Sequence, residues 1–307
     1  MLTLFTAVTQ TFRGAAAVIQ RNALRSWMLL HPEAQVLVFG EAEGGLEACW
    51  ELGIHYDAEP ELTASGAVRL DYMFAKAQQL ARYNALCYVP CDTLLLADFC
   101  EAFNRVEALY PRFAMVGRNW DLSVEEAGSI GEADWESRLR EATEREGRPN
   151  AAEQIAYVAF SKGLYVNDLP PLGVDEPGCA NWLLWKAMTE RVAVVDASEM
   201  VLAVHQHADV ILQLWEEGEP NGERAEARRL LRKHLPSVAN APLLLTAGDI
   251  VRNRWYRLRH WREWVQRGSA GAKRAMRGLR FHFGKTGKTA TEEAEKTEQD
   301  SVSRGVR

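Results

Sequence analysis

The sequence predicts an α/β protein built on a doubly wound, mainly parallel sheet, and three observations predict it. The first hundred residues alternate short apolar runs with helical spacings in the order β-α-β-α-β-α-β. Those runs lack polar alternation, as strands covered on both faces do. One of them, residues 85–89, stops at Pro90, which cannot donate to a ladder, and the chain then presents a lone carboxylate, Asp92. In open α/β sheets ligands sit beyond the carboxyl ends of the strands, so Asp92 marks the candidate site.

Each element has its own warrant. Residues 2–8 (Leu-Thr-Leu-Phe-Thr-Ala-Val) read as the first strand, and residues 14–30 as a helix with Ala16, Ile19, Ala23 and Trp27 at helical spacing, ending before Pro32. Residues 36–39 form a second buried strand closed by Gly40. Gly44 to Gly53 reads as a short helix with Leu46, Cys49 and Trp50 on one face, and residues 54–56 as a third strand. Residues 71–82 are a helix facing Phe74, Ala77, Gln78 and Ala81 inward, leading into the strand that ends at Pro90. Asp98, with Glu101 three residues on, looks like a helix cap and is read as structural. Further strands are expected at 113–117, 157–160, 192–196 and 201–204, with a helix at 181–189 and a polar surface excursion at 123–150 whose helical core runs from Trp135 to Arg145. From Glu223 onward the pattern is helical.

The composition narrows the class. Hydrophobic residues make up 47% and charged residues 25%, ordinary for a globular enzyme. The net charge of -6 argues against nucleic acid as a partner. That average hides an asymmetry: residues 252–288 carry twelve basic side chains against Glu263 alone, about +11, which leaves about -17 on the remainder. Cys49, Cys87, Cys91, Cys100 and Cys179 are odd in number and form no C-x-x-C pair, so a reduced, cytoplasmic setting is expected. The first thirteen residues lack the charged and apolar regions of a signal peptide, and no apolar run is long enough to span a bilayer.

Several motifs are excluded. The two Gly-Lys-Thr triplets at 284–289 lack the upstream glycine of a phosphate-cradling loop, its places being held by Leu279 and His282. No G-x-G-x-x-G or G-x-S-x-G occurs. His205-x-His207 alone is no zinc site. A phosphoesterase using Asp92, His205, His207 and Asp209 would gather too few acids.

What remains is an ordered series of segments. Tyr88-Val89-Pro90-Cys91-Asp92, Val116 to Asp121, Phe160 to Leu164, Asn181 to Ala187, and Val195-Asp196-Ala197 leading to Val204-His205-Gln206-His207 together resemble nucleotide-sugar-dependent glycosyltransferases of the GT-A fold. The resemblance covers roughly residues 1–215. It implies a Rossmann-like GT-A domain over 1–215, followed by a helical basic extension over 216–288 and a disordered tail over 289–307. It also implies transfer of a sugar from a nucleoside diphosphate sugar to an acceptor hydroxyl with a divalent metal, Mn or Mg, since an oxygen-ligated cation neutralises a diphosphate leaving group.

By that resemblance Asp92 is the metal- or ribose-binding acid and His205 completes the metal shell. Arg118 meets the donor phosphates or sugar, Asp121 the sugar hydroxyls, and Thr6 and Asp71 the nucleoside. The chain departs from the family in three places. An acid usually precedes Asn-Trp, where Ala180 stands, and another precedes the strand at Tyr157, where Ala156 stands. Asn-Ala before the central aspartate is Pro90-Cys91. Asp175 and Glu176 are the nearby substitutes for the missing base, and without one the chain would be a binding relative rather than an enzyme.

Each residue has a plainer reading beside this one. Asp92 can form a turn, Asp71 can cap a helix, and Arg118 and Asp121 can pair with each other on the surface. His205 can be a satisfied strand-end histidine, and Trp182 and Trp185 can be helix packing. Finally Val251, Trp255, Leu258, Trp261 and Val265 fall on one helical face among arginines. Such a helix either docks on the domain or lies on an anionic membrane surface, where a lipid-linked saccharide acceptor and a peripheral place on the inner face would follow.

Overall fold

The computed structural model describes residues 1–8, 10–123, 129–166, 169–174, 176, 178–207 and 236–253. Among the described residues, seven strands of the main sheet share one direction. These are β1 (Thr3–Ala7), β2 (Gln35–Phe39), β3 (His55–Asp57), β4 (Ala85–Tyr88), β6 (Phe113–Ser123), β9 (Ala193–Asp196) and β11 (Leu243–Leu245). The antiparallel strand β8 (Ile155–Ser161) lies between β4 and β6. The order across the sheet is β3-β2-β1-β4-β8-β6-β9-β11-β12, with β12 (Ile250–Arg252) antiparallel at the far edge. The expected α/β architecture with a mainly parallel sheet is therefore present.

Side-chain alternation explains the layers. Phe5, Leu37, Phe39, Leu86, Tyr88 and Phe160 face one way, packing under α3 (Leu70–Leu80) and α6 (Cys179–Thr189). Leu4, Val36, Val38, Cys87, Met115 and Tyr157 face the other way, under α1 (Gly14–Leu30), α2 (Gly45–Glu51) and α4 (Ala97–Leu109). Phe74 of α3 sets its ring edge-on to Phe5 at 4.8 Å between centroids and stacks on Phe160 at 5.7 Å. Burying one such ring is worth roughly 1.5–3 kcal/mol. All five cysteines are free thiols. Among the described residues no helix is long and apolar enough to cross a membrane.

A second, smaller sheet sits over the carboxyl edge of the first. The register of β6 shifts between Gly117 and Arg118, and the strand then runs on to Ser123. This continuation pairs in parallel with β10 (Ala203–His207), and β10 pairs antiparallel with β5 (Thr93–Leu95). The two-residue β7 (Arg148–Pro149) lies on its other side. Gly117 is required at the bend, because a Cβ there would run into the Tyr157 hydroxyl. The excursion after β6 is more than surface: α5 (Trp135–Glu146) closes a third core of Leu94, Leu96, Leu122, Ile130, Leu139, Ala142 and Val204.

Three further expectations are corrected. Leu46 and Trp50 are exposed, at 55% and 82%, whereas Gly45, Ala48 and Cys49 form the buried face of α2. Gly45 lies so close to the Tyr56 ring that a Cβ would fall 2.6 Å from its hydroxyl, which leaves room only for small residues on that side. Asp98 is no N-cap: Leu96 holds that position, and Asp98 accepts from Arg140 and from the amide of Leu202. The helix expected from Glu223 onward does not cover 243–252, which form the β11–β12 hairpin, so Val251 lies in a strand. The rest of the proposed extension and tail, with Trp255, Leu258, Trp261 and Val265, lies outside the described residues.

Candidate functional site

The turn after β4 places Asp92 beside the small sheet, and β10 brings His205 to it. The His205 Nε2 lies 3.4 Å from Asp92 Oδ2. Its Nδ1 lies 2.8 Å from Asp121 Oδ1. The parallel register of β6 and β10 sets His205 directly opposite Asp121, and the antiparallel register of β5 sets it opposite Thr93, one residue after Asp92. The side chains of Asp92, Asp121 and His205 are 40%, 32% and 34% exposed, so the group is open to solvent on one side.

The electrostatics follow from this sandwich. Burial works against a charged imidazole, but Asp92 and Asp121 outweigh it and push the His205 pKa up to about 10. Burial also works against a charged Asp92, yet the neighbouring imidazolium and the Thr93 hydroxyl, 2.9 Å away, hold its carboxyl below the ordinary range. Asp121 is likewise held low against its burial by His205 and by the Asn150 amide, which donates to it at 2.6 Å. At neutral pH the imidazole is doubly protonated, donating Nδ1–H to Asp121 and pairing through Nε2 with the Asp92 charge.

A shared divalent cation fits this donor set on one condition. A ligating histidine typically gives its other ring N–H to a carboxylate, and Asp121 fills that role while Nε2 faces Asp92. The ion must displace the Nε2 proton. Among the described residues no group of three or more His, Cys, Asp and Glu is arranged to hold a metal ion. Two protein donors would leave the remaining positions to a substrate diphosphate and water, but one donor is an imidazole nitrogen, whereas magnesium is usually held through oxygen alone.

The other expected residues are not gathered here. Thr6 is fully buried at the end of β1, its hydroxyl turned to the carbonyl of Ala7. Asp71 lies in the first turn of α3, not at its N-cap, and is clamped by Arg69, with bonds of 3.0 and 2.6 Å. Arg118, three residues before Asp121, emerges from the opposite face of the strand. Its backbone amide donates to Ser198, and its charge acts on Asp196 at the end of β9. The pairing of Arg118 with Asp121 is thus not formed. Asp175 and Asp209 lie outside the described residues. Ala156 is fully buried and Ala180 half-buried, while Glu176 accepts from the amide of Gly173 at 3.0 Å. Trp182 and Trp185 pack on each other, 5.7 Å apart, as helix packing requires.

Sequence reasoning missed Asn150 and Gln206. Asn150 binds both Asn119 and Asp121, two residues of β6 that share a face, and Gln206 is buried beneath Asp92. Neither carries a motif. An uncharged amide in a strand or turn gives no signal until its neighbours are known.

An acid–histidine–acid group beyond the carboxyl edge of a mainly parallel sheet gives an α/β protein with a candidate ligand site at the sheet's mouth. No family model matches the chain, and no curated protein matches it. Several solved structures are similar to it. One is S. aureus TarS residues 1–349 in complex with UDP-GlcNAc, 8% identical, covering 75% of this chain and 70% of that one, with a TM-score of 0.43. Another is a protein from Desulfovibrio desulfuricans described as a nucleotide-diphospho-sugar transferase, 11% identical over 76% of this chain and 97% of that one, with a TM-score of 0.41. A third, described as a glucose-1-phosphate thymidylyltransferase from Bacillus anthracis, is 10% identical over 74% and 99%, with a TM-score of 0.39.

Proposed function

We propose that the chain is a glycosyltransferase that moves a sugar from a nucleoside diphosphate donor to an acceptor hydroxyl. The observation that carries this reading is the approach of Asp92 and His205 at the mouth of the sheet, supported by the ordered segments that resemble GT-A glycosyltransferases. A divalent cation, manganese or magnesium, would neutralise charge developing on the departing diphosphate. Asp92 supplies an oxygen donor and His205 a nitrogen donor once its Nε2 proton has left. Asp121 holds the imidazole in the orientation that this requires. In this reading the acceptor is a glycan or a lipid-linked saccharide, and the basic stretch after Asn253 holds the enzyme at the inner, anionic face of a membrane, as in surface polysaccharide assembly.

One observation favours a second reading. Ala156 is buried, Ala180 carries no carboxylate, and Glu176 accepts from a backbone amide, so the two positions where the resembling family carries its acids hold none here. On that reading the chain binds a nucleotide sugar and acts as an assembly partner. Donor hydrolysis with manganese or magnesium separates the two. Turnover by the full chain that disappears in Asp92→Ala supports the enzyme, and metal-dependent binding without turnover supports the partner. Neither binding nor turnover with any nucleoside diphosphate sugar would remove both.

A further inference from the structure

Helix α1 buries polar side chains where a sheet-covering helix normally buries apolar ones. Gln20, Asn22 and Ser26 are 6%, 7% and 0% exposed. Ser26 serves β5, accepting from the amide of Leu95. Asn22 serves Gln206, donating its amide to Gln206 Oε1 at 3.0 Å. Gln206 is itself 2% exposed. Its Nε2 donates to the carbonyl of Ile19 at 3.1 Å and to the carbonyl of Asp92 at 3.3 Å. Its backbone amide reaches the same Asp92 carbonyl at 2.9 Å. Every hydrogen-bonding group of that carboxamide is therefore engaged, as a buried polar group must be.

We propose that Gln206 is a positioning residue for the site, acting through the backbone of Asp92. Strand alternation sends His205 toward the carboxylates and Gln206 toward α1. The strand that delivers the histidine thus also fixes, one residue later and on its other face, the turn that delivers the acid. Asp92 sits in a turn, where the backbone has freedom that a ladder would remove. Two hydrogen bonds from Gln206 take that freedom away and set the gap across which Asp92 and His205 face each other. Losing the side-chain member of this pair has a disproportionate effect, because displacements near 1 Å in a reacting constellation cost about 100-fold in rate. The inference rests on the glycosyltransferase reading for its catalytic consequence, but not for its geometry.

The test uses the full chain, with Gln206→Met as a near-isosteric variant that keeps the backbone amide bond to Asp92 but loses every side-chain hydrogen bond, and Ser26→Ala as a control for loss of a buried polar contact on α1. The first readout needs no ligand. The two ring N–H protons of His205 are followed by NMR, Nδ1–H facing Asp121 and Nε2–H facing Asp92. In Gln206→Met the Nε2–H resonance shifts or broadens while Nδ1–H stays, and in Ser26→Ala both stay. If both resonances stay in Gln206→Met, or if both vanish together, the positioning role is wrong. The second readout is donor hydrolysis, where kcat falls about tenfold in Gln206→Met with KM little changed, and Ser26→Ala keeps its kcat. A KM effect without a kcat effect overturns the inference. Absence of turnover in the unaltered chain would count against the proposed function alone, leaving the ring-proton result to judge Gln206.

Discussion

Two aspartates flank β5, Asp92 before it and Asp98 after it, and their surroundings make them opposites. Asp92 is 40% exposed and faces a histidine from β10, and its carboxyl is held below the ordinary range. Asp98 is 14% exposed, pairs with Arg140 at 2.7 Å, and is nevertheless pushed up because burial outweighs its partners. Asp98 ties α4 to α5 and β10, since it also accepts from the amide of Leu202. One acid closes a seam and the other opens onto solvent. A charged group kept reachable and ionised is available for chemistry, and one walled in by its partners is a fastening.

The sharpest way to break that contrast is to remove each acid. Asp92→Ala lowers donor turnover by about 100-fold or more while the melting temperature moves little. Asp98→Ala does the reverse, costing about 1–3 kcal/mol of stability by stranding Arg140 and the Leu202 amide, with turnover within about threefold. Parallel turnover and denaturant-unfolding measurements on both variants check the pair. If Asp98→Ala were the inactive one, the assignment would be inverted.

The next test is on the histidine between the acids. Asp121→Asn removes the shorter of its two carboxylate contacts, so the His205 pKa falls from about 10 by about one unit or more. Histidine-selective NMR titration reads this directly. The pH dependence of stability is a smaller effect with a definite sign. A folded-state pKa of about 10 against 6.5 means that the stabilising pairing is full below pH 6.5 and fades as pH rises through 10. Asp92 and Asp121, lowered from 3.8, contribute above that value and lose their share as pH falls through their folded-state values. Melting temperature against pH should therefore decline on both the alkaline and the acid side, and His205→Ala should flatten the alkaline decline. The smallest effect is expected at Arg69→Ala, which breaks a half-exposed pair with Asp71 and costs less than about 1 kcal/mol in unfolding experiments.

Much of the parallel sheet was legible because apolar runs such as 36–39 and 85–89 are unambiguous when both faces are covered. The helix at 14–30 was legible from its spacing and from Pro32. Asp92 was legible from Pro90 and the strand before it. The Asp121–His205 contact was not, because it depends on the register between β6 and β10, and no local pattern encodes a register between distant strands. Leu243-Leu244-Leu245 is too short to declare its period, and the basic helical spacing that follows drew it into the wrong class. Leu46 and Trp50 misled because helical spacing says which residues share a face, not which face a close ring such as Tyr56 leaves open.

The β11–β12 hairpin also decides how the remainder of the chain is attached. Asn253 closes β12, and its carboxamide is fastened to the carbonyls of Ala239 and Ala241 at 3.2 and 2.9 Å. That makes Asn253 a mooring rather than a leash. The chain beyond residue 253 therefore leaves the domain from a fixed point on the rim of the sheet, beside its edge strand.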